Sequence, residues 1–131
     1  MKTVTISGKD VEVLANAATS IVHQRIFDED ILVEYNKLYA NGEVDEENIE
    51  ANAKASALIK RLAFTMAMQA KYVGHEENLM KISFADYMKW LSQFDEVFSL
   101  EEATAEIMEV YTGSSAPTAI EKKEDAPQTD K

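Results

Sequence analysis

The feature that most constrains this chain is a long stretch, residues 45–73, that contains neither glycine nor proline. Asp45 can cap a helix at its start, and Glu46 and Glu47 suit the positive N-terminal end of a helix. Gly74 follows as a C-terminal stop. The pattern therefore predicts one helix over residues 45–73, roughly 40 Å long at about 1.5 Å per residue. In a small domain, the other elements must pack around a helix of that length.

The second half of this helix, LIKRLAFTMAMQAKYV, carries two apolar stripes where a surface helix needs one. The first stripe consists of Leu58, Ile59, Leu62, Met66 and Val73. The second consists of Phe64, Met68 and Tyr72 at i, i+4, i+8 spacing. A helix that is apolar nearly all round is typical of the centre of a domain. Two interpretations remain open: both stripes face neighbours inside one domain, or part of the second stripe stays accessible to hold an apolar partner.

The N-terminal residues alternate in a way that predicts a β-hairpin. TVTI and VEVL are separated by a stretch in which Gly8 and Asp10 supply turn chemistry, so we expect strands at about residues 2–6 and 11–14. A two-stranded hairpin is only marginally stable alone, so some of its apolar residues should pack against helices. The apolar residues of the hairpin are Val4, Ile6, Val11 and Val13.

Two helices are expected between the hairpin and the long helix. Asn16 can cap the first, which runs through AATSIVHQRIF, and the carboxylates of residues 28–30 suit the start of the second. Asn41 and Gly42 end it. One long, kinked helix is the alternative.

Two further helix starts follow the loop GHEENLMKI. Ser83 and Ser99 each have an acidic residue three positions later, which is the pattern of a capping box. Gly113 closes the last helix. From Ser114 the composition changes, and SSAPTAIEKKEDAPQTDK has one large aliphatic residue and both prolines, which predicts a disordered tail over residues 114–131.

The predicted fold class is therefore mainly α. We expect a short N-terminal β-hairpin packed on a bundle of four to five helices, forming a single helical domain over residues 1–113, with a disordered C-terminal tail.

The formal net charge of -11 narrows the classes of partner. Phosphate binding needs a basic surface, and an anionic bilayer repels an acidic chain, so neither nucleic acid nor a membrane is an expected partner. No run of about 18 apolar residues is present, and the N-terminus lacks the apolar core of a signal peptide. With no cysteine, the chain has no disulfide framework and no thiolate metal site. These features are typical of a cytoplasmic protein.

The sequence shows no constellation of catalytic or metal-binding residues. His75-Glu76-Glu77 resembles half of a zincin motif, but no second histidine follows at the required spacing. His23 is expected on the flank of a helix. Residues 28–30 lack the spacing and glycine of a calcium-binding loop. We therefore expect no enzymatic activity, no metal and no cofactor, and we look for function in the surfaces of the protein.

Three stretches follow one another in a recognisable order: TVTISGKDVEVLANAATSIVHQRI, then LIKRLAFTMAMQAK, then SFADYMKWLSQFDEVF. A last acidic helix and a low-complexity tail come after them. This order resembles that of the tail assembly chaperones of long-tailed (siphovirus-like) phages and prophages of Gram-positive bacteria. The likeness covers about residues 1–113 and lies in the order of patterns.

The resemblance implies a role that is not catalytic. Such proteins coat the long tape-measure protein, keep its apolar stripe from aggregating, and recruit tail tube subunits as the tube polymerises. They act in the host cytoplasm and are not expected in the mature virion. A homo-oligomer is possible. The family often makes a longer product by translational frameshifting, and GSSAPTAIEKKEDAPQTDK would then be where the two frames part.

The second apolar stripe and the aromatic residues that follow it in the sequence form a candidate partner-binding set: Phe64, Met68, Tyr72, Trp90, Phe94 and Phe98. Methionine and aromatic side chains adapt to varied apolar partners. Because the chain is acidic, we expect acidic rims that select partners with basic residues beside their apolar stripe.

Two other classes of function remain open. The first is an acidic inhibitor or nucleic-acid mimic that binds a basic enzyme, for which the support is a run of acids without an intervening lysine or arginine: Asp95, Glu96, Glu101, Glu102, Glu106 and Glu109. The plainer interpretation of that run is a solvated face. The second is a small enzyme, which no group of residues supports.

Overall fold

The computed structural model of the protein describes residues 1–38, 49–96 and 99–113. Over these residues the elements are β1 Lys2–Ile6, β2 Lys9–Val13, α1 Thr19–Phe27, α2 Ile31–Leu38, α3 Ile49–Lys71, a 3₁₀ helix Glu76–Lys81, α4 Phe84–Leu91, α5 Ser99–Glu102 and α6 Thr104–Thr112. The predicted fold class is confirmed: the protein is mainly α, with an N-terminal hairpin packed on helices. The predicted tail, residues 114–131, and the predicted start of the long helix, residues 45–48, lie outside the described residues.

The hairpin has a tighter turn than the sequence indicated. Ser7 and Gly8 form the connection with φ angles of 51° and 79°, and both positive values are typical of a type I′ turn. Such a turn matches the twist of the strands, so antiparallel pairing resumes at once, with Ile6 opposite Lys9. The predicted start of the second strand at residue 11 was therefore two residues too late.

The hairpin is fixed to the middle of α3. Val4, Ile6 and Val13 are each 1% exposed, which confirms that the apolar residues of the hairpin pack against helices. Immediately after β2, the Leu14 backbone N–H donates to the carbonyl oxygen of Met66 at 3.0 Å.

Helix α3 runs through the centre of the domain, and every residue from 62 to 70 is buried. Leu62 and Met66 of the first stripe are 2% and 0% exposed, while Phe64 and Met68 of the second are 0% and 7% exposed. Both stripes therefore face neighbours inside one domain over most of their length. Val73 is the exception at 49% exposed, because α3 ends at Lys71, before the left-handed Gly74.

The first two helices are separate, as one of the two alternatives predicted. Asp28 adopts a left-handed conformation with φ 55°, and its N–H donates to the carbonyl of Gln24, which ends α1. The Asp30 carboxylate then accepts from the N–H of Val33 at 3.1 Å and caps the start of α2.

A row of polar side chains on α3 faces α1. Arg61, Thr65 and Gln69 have i, i+4, i+8 spacing, and the last two are 0% and 4% exposed. The Thr19 hydroxyl donates to Gln69 Oε1 at 2.7 Å, and the Gln69 amide donates to Asn16 Oδ1 at 3.2 Å. The buried side chains of Thr19 and Gln69 therefore each have a specific hydrogen-bond partner. These bonds fix the start of α1 against α3.

The other two residues of the row, Arg61 and Thr65, contact an acidic residue and a buried histidine. Arg61 donates two hydrogen bonds to the Glu29 carboxylate at 2.6 and 3.0 Å. His23 lies between this pair and Thr65, with Nε2 2.6 Å from Glu29 Oε2 and Nδ1 2.7 Å from Thr65 Oγ1. The sequence placed His23 on a helix flank, but it is 0% exposed, because α1 turns this side towards α3.

Burial governs the protonation of this network. Desolvation lowers the pKa of His23 below 6.5, and the neighbouring Glu29 opposes that shift only in part. Burial alone would raise the pKa of Glu29, but hydrogen bonds from Arg61 and His23 outweigh it and hold this pKa below 4.5. At neutral pH the network therefore consists of a neutral imidazole beside an ion pair.

The C-terminal elements follow their capping signals in part. The Ser83 hydroxyl accepts from the N–H of Asp86, and the Asp86 carboxylate accepts from the N–H of Ser83, so the predicted capping box is present at α4. The predicted last helix is divided at Ala103, whose φ of -95° and ψ of 7° leave the helical range. The loop after Gly74 includes a 3₁₀ helix, in which Leu79 is buried.

Core packing around α3 leads to a first prediction. Leu62→Ala or Met66→Ala should lower the free energy of unfolding by about 2–5 kcal/mol, because each change leaves a cavity at the centre of the domain. Ile21→Ala is the matched control, since Ile21 is 69% exposed and should change stability by about 0.5 kcal/mol or less. Urea denaturation measures the free energy of unfolding of the three variants. No loss at either core position would mean that another face of α3 is buried.

The buried histidine leads to a second prediction. Well above pH 6.5 both the folded and the unfolded chain carry a neutral His23, so this residue adds no pH dependence there. Below pH 6.5 the unfolded chain takes up a proton that the folded state rejects, so stability should fall as the pH is lowered. Protonation of Glu29 adds to the loss below 4.5.

Urea denaturation between pH 5 and 8 measures this slope. His23→Gln should flatten it between pH 6.5 and 5, although the variant is less stable at neutral pH. Ile21→Ala should leave the slope unchanged, because it alters an exposed residue and no titratable group. A wild-type protein that gains stability over the same decrease in pH would contradict the prediction.

Candidate functional site

A groove lies between the C-terminal end of α3 and helix α4. Its volume is about 260 Å³, and it is lined by Met68, Lys71, Tyr72, Ile82, Asp86, Lys89 and Trp90. The sequence predicted Met68, Tyr72 and Trp90 as partner-binding residues, and the structure brings these three together.

The position of each wall follows from local structure. Met68 precedes Tyr72 by four residues at the end of α3, so the two side chains share one face of the helix. Trp90 lies on α4, whose start is fixed by the capping box between Ser83 and Asp86. Ile82 lies between the 3₁₀ helix and α4 and is partly buried against the core.

The Trp90 ring is held by other rings. The centroid of Phe64 lies 5.6 Å from it and that of Phe94 lies 5.1 Å from it, both in edge-to-face arrangements. Phe64 also contacts Tyr87, with ring centroids 5.2 Å apart. Desolvation raises the pKa of Tyr87 to about 12, so its hydroxyl stays protonated. The Trp90 ring therefore forms a wall of the groove, and neighbouring rings fix its position.

The six predicted partner-binding residues divide by their accessibility. Phe64, Met68 and Phe94 are 0%, 7% and 8% exposed, so they support the groove mainly from within the core. Tyr72 and Trp90 are half-buried and present part of their rings to solvent. Phe98 lies outside the described residues. That any of these residues contacts a partner stays a prediction, and Tyr72 and Trp90 are the members best placed to do so.

The rim of the groove differs from the acidic rim that the composition indicated. Lys71, Lys89 and Asp86 are its charged members, and all three are exposed. Lys71 Nζ lies 5.3 Å from the centroid of the Tyr72 ring, which is within range of a cation–π interaction. Acidic residues are abundant in the chain, but at this groove cationic groups outnumber them.

Other apolar residues near α4 were not predicted as part of a site. Met80, Phe84 and Met88 are 59%, 65% and 47% exposed. Phe84 and Met88 have i, i+4 spacing on α4, and their position on the helix differs from that of Trp90 by well over a quarter turn. The sequence signal was present, because α4 carries more apolar residues than one packed face requires.

Other features of the described chain bear on ligands of other kinds. A larger cavity of about 410 Å³ lies between α2 and α3, but charged side chains make up most of its lining: Glu34, Lys37, Lys54 and Arg61, with Ala57 and Leu58. Among the described residues, no group of three or more histidine, aspartate or glutamate side chains is arranged to hold a metal ion. No described helix is long and apolar enough to span a bilayer.

The different burial of two phenylalanines gives a third prediction. Phe64→Ser should destabilise the fold by about 3–5 kcal/mol, because it empties a fully buried position and adds a hydroxyl there. Phe84→Ser should cost about 1 kcal/mol or less, since this side chain is 65% exposed. Thermal and urea denaturation compare the two variants. Equal losses would show that Phe84 belongs to the core.

Comparison with known proteins finds no relative of this chain. No protein-family model, no curated protein and no solved structure matches the chain. Its function is therefore inferred from its own residues and from the order of patterns along its sequence.

Proposed function

We propose that this protein is a phage tail assembly chaperone that binds and solubilises the tape-measure protein and helps recruit tail tube subunits during tail assembly. The observation that carries the proposal is the groove in which Met68, Tyr72 and Trp90 come together between α3 and α4. The resemblance of the sequence to tail assembly chaperones supplies the identity of the partners, and the groove supplies a surface suited to an apolar helix.

The size and lining of the groove favour apolar side chains. An engineered cavity of about 150 Å³ binds one benzene molecule, so about 260 Å³ is suited to one or two side chains of a partner. Tyr72 and Trp90 belong to the residue types that dominate binding energy at interfaces. Because rings of the core hold Trp90 in place, little of its freedom is lost on binding.

A groove of this size gives a weak individual contact. One or two apolar side chains bury far less than the roughly 1,000 Å² that a stable interface needs. A long tape-measure helix offers many similar segments, and several chaperone molecules bound along it would hold together through avidity. A net charge of -11 would keep such a coat soluble in the host cytoplasm. The chaperone would leave as the tube polymerises, and so be absent from the mature virion.

The acidic C-terminal helices favour a second candidate function. Glu102, Glu106 and Glu109 are exposed at α5 and α6, and Asp95 and Glu96 are exposed just before these helices. Such a surface suits an acidic inhibitor that mimics nucleic acid and binds a basic enzyme. Its complex would weaken steeply with salt, whereas the apolar contacts in the groove would persist at high salt.

The proposal is tested by co-expression with the tape-measure protein that it assigns as the partner. Wild-type protein should keep the tape-measure protein soluble and remain bound to it through purification. Tyr72→Ser together with Trp90→Ala should lower the recovered complex about tenfold, because both accessible anchors of the groove are lost. Ile21→Ser is the matched control, since it changes an apolar residue that is 69% exposed on α1 and lies outside the groove.

Two results would contradict the proposal in different ways. If the tape-measure protein stays insoluble and no complex survives purification, the chaperone function is wrong. If the complex forms but is unaffected by the Tyr72 and Trp90 changes in a variant that remains folded by circular dichroism, the function stands and the groove is not the binding site.

A further inference from the structure

We infer that the helix bound by this groove carries acidic residues on both sides of its apolar stripe. The inference rests on the proposed function, because it concerns the partner of the same groove. It reverses the expectation from composition, which was that an acidic chain selects partners with basic flanks.

The two lysines of the rim are the main evidence. Lys71 belongs to α3 and Lys89 to α4, so they lie on opposite walls of the groove. Both are exposed, and within the part of the chain that the structure describes neither ammonium group has an ion pair. Lys71 instead lies over the Tyr72 ring, which keeps its charge beside the apolar surface.

The single acidic residue of the rim is already engaged. One oxygen of the Asp86 carboxylate accepts from the Ser83 N–H at 2.9 Å and from the Ser83 hydroxyl at 3.1 Å. These bonds, with a smaller contribution from the two lysines, hold the pKa of Asp86 below 3.8. Asp86 is therefore committed to the capping box of α4, and the lysines keep donors available for carboxylates of a partner.

The charge of the whole chain makes this rim selective. The sequence has 24 acidic and 13 basic residues, so most of the surface repels an acidic helix. At the groove, apolar contact and two cations coincide, and an acidic helix would find its favourable position there. A helix with lysines beside its stripe would meet like charges on both walls, which disfavours it in this register.

Three synthetic helical peptides test the inference with the full-length protein. All share leucines at i, i+3, i+4 and i+7 in an alanine-rich background without tryptophan, and they differ only in glutamate, glutamine or lysine at the flanking positions. Trp90 is the only tryptophan of the chain and lines the groove, so its fluorescence reports occupancy directly. We expect the glutamate peptide to bind about tenfold tighter than the lysine peptide at low salt, and the difference to shrink at high salt.

Charge reversal provides the matched comparison. Lys71→Glu with Lys89→Glu should reverse the order, so that the lysine peptide binds more tightly. Lys2→Glu with Lys9→Glu is the control, because these residues are exposed on the hairpin and the change in net charge is the same. The control should keep the preference for the glutamate peptide.

Each other outcome overturns the inference in a distinct way. Equal binding of the three peptides, or tighter binding of the lysine peptide, shows that the groove binds helices without the proposed charge preference, and the proposed function stands. If no peptide binds by fluorescence or calorimetry, the groove fails as a site for apolar helices as well. A Trp90 signal that changes with protein concentration alone would assign the groove to a second copy of the chain. A signal that changes on removal of residues 114–131 would assign it to that segment.

Discussion

The whole arrangement depends on the burial of α3 around nearly its full circumference. Because residues 62–70 are all buried, a single helix serves as the common neighbour of the hairpin and of the helices on every other side. The hydrogen bond from Leu14 to the Met66 carbonyl ties the hairpin to this helix, and the contact of Phe64 with Trp90 ties α4 to it. The position of the groove is therefore a consequence of how α3 is surrounded.

A helix enclosed in this way has to be oriented as well as buried, and apolar contact alone is poorly directional. The row formed by Arg61, Thr65 and Gln69 supplies that direction, since each member is hydrogen-bonded to a residue of α1 or of the turn after it. Moving α1 by one turn would leave buried polar groups unpaired, at a cost of about 1–3 kcal/mol each. Specific polar contacts thus set the register in which the apolar core packs.

Local signals account for what could be predicted from the sequence. The hairpin, the stop at Gly74 and the capping box of Ser83 each depend on residues close together in the chain, and all three are present. The partners of the polar row could not be found in this way, because Thr19 and Gln69 are 50 residues apart and His23 and Thr65 are 42 apart. The periodicity of the sequence predicted which residues of α3 share a face. For the same reason, it could not predict that Phe64 is enclosed and that Tyr72 is half-exposed.

Core and groove share one helix, and this limits where the groove can be altered without loss of stability. Along residues 62–70 a change of side chain affects stability first, because no position there is free of neighbours. Lys71 and Tyr72 lie just beyond that segment, and Lys89 and Trp90 face them from α4. Substitutions at these four positions can alter the charge and shape of the groove while the enclosed part of α3 stays packed. The proposed partner preference would therefore be set at the end of α3, where its burial ends and its side chains reach solvent.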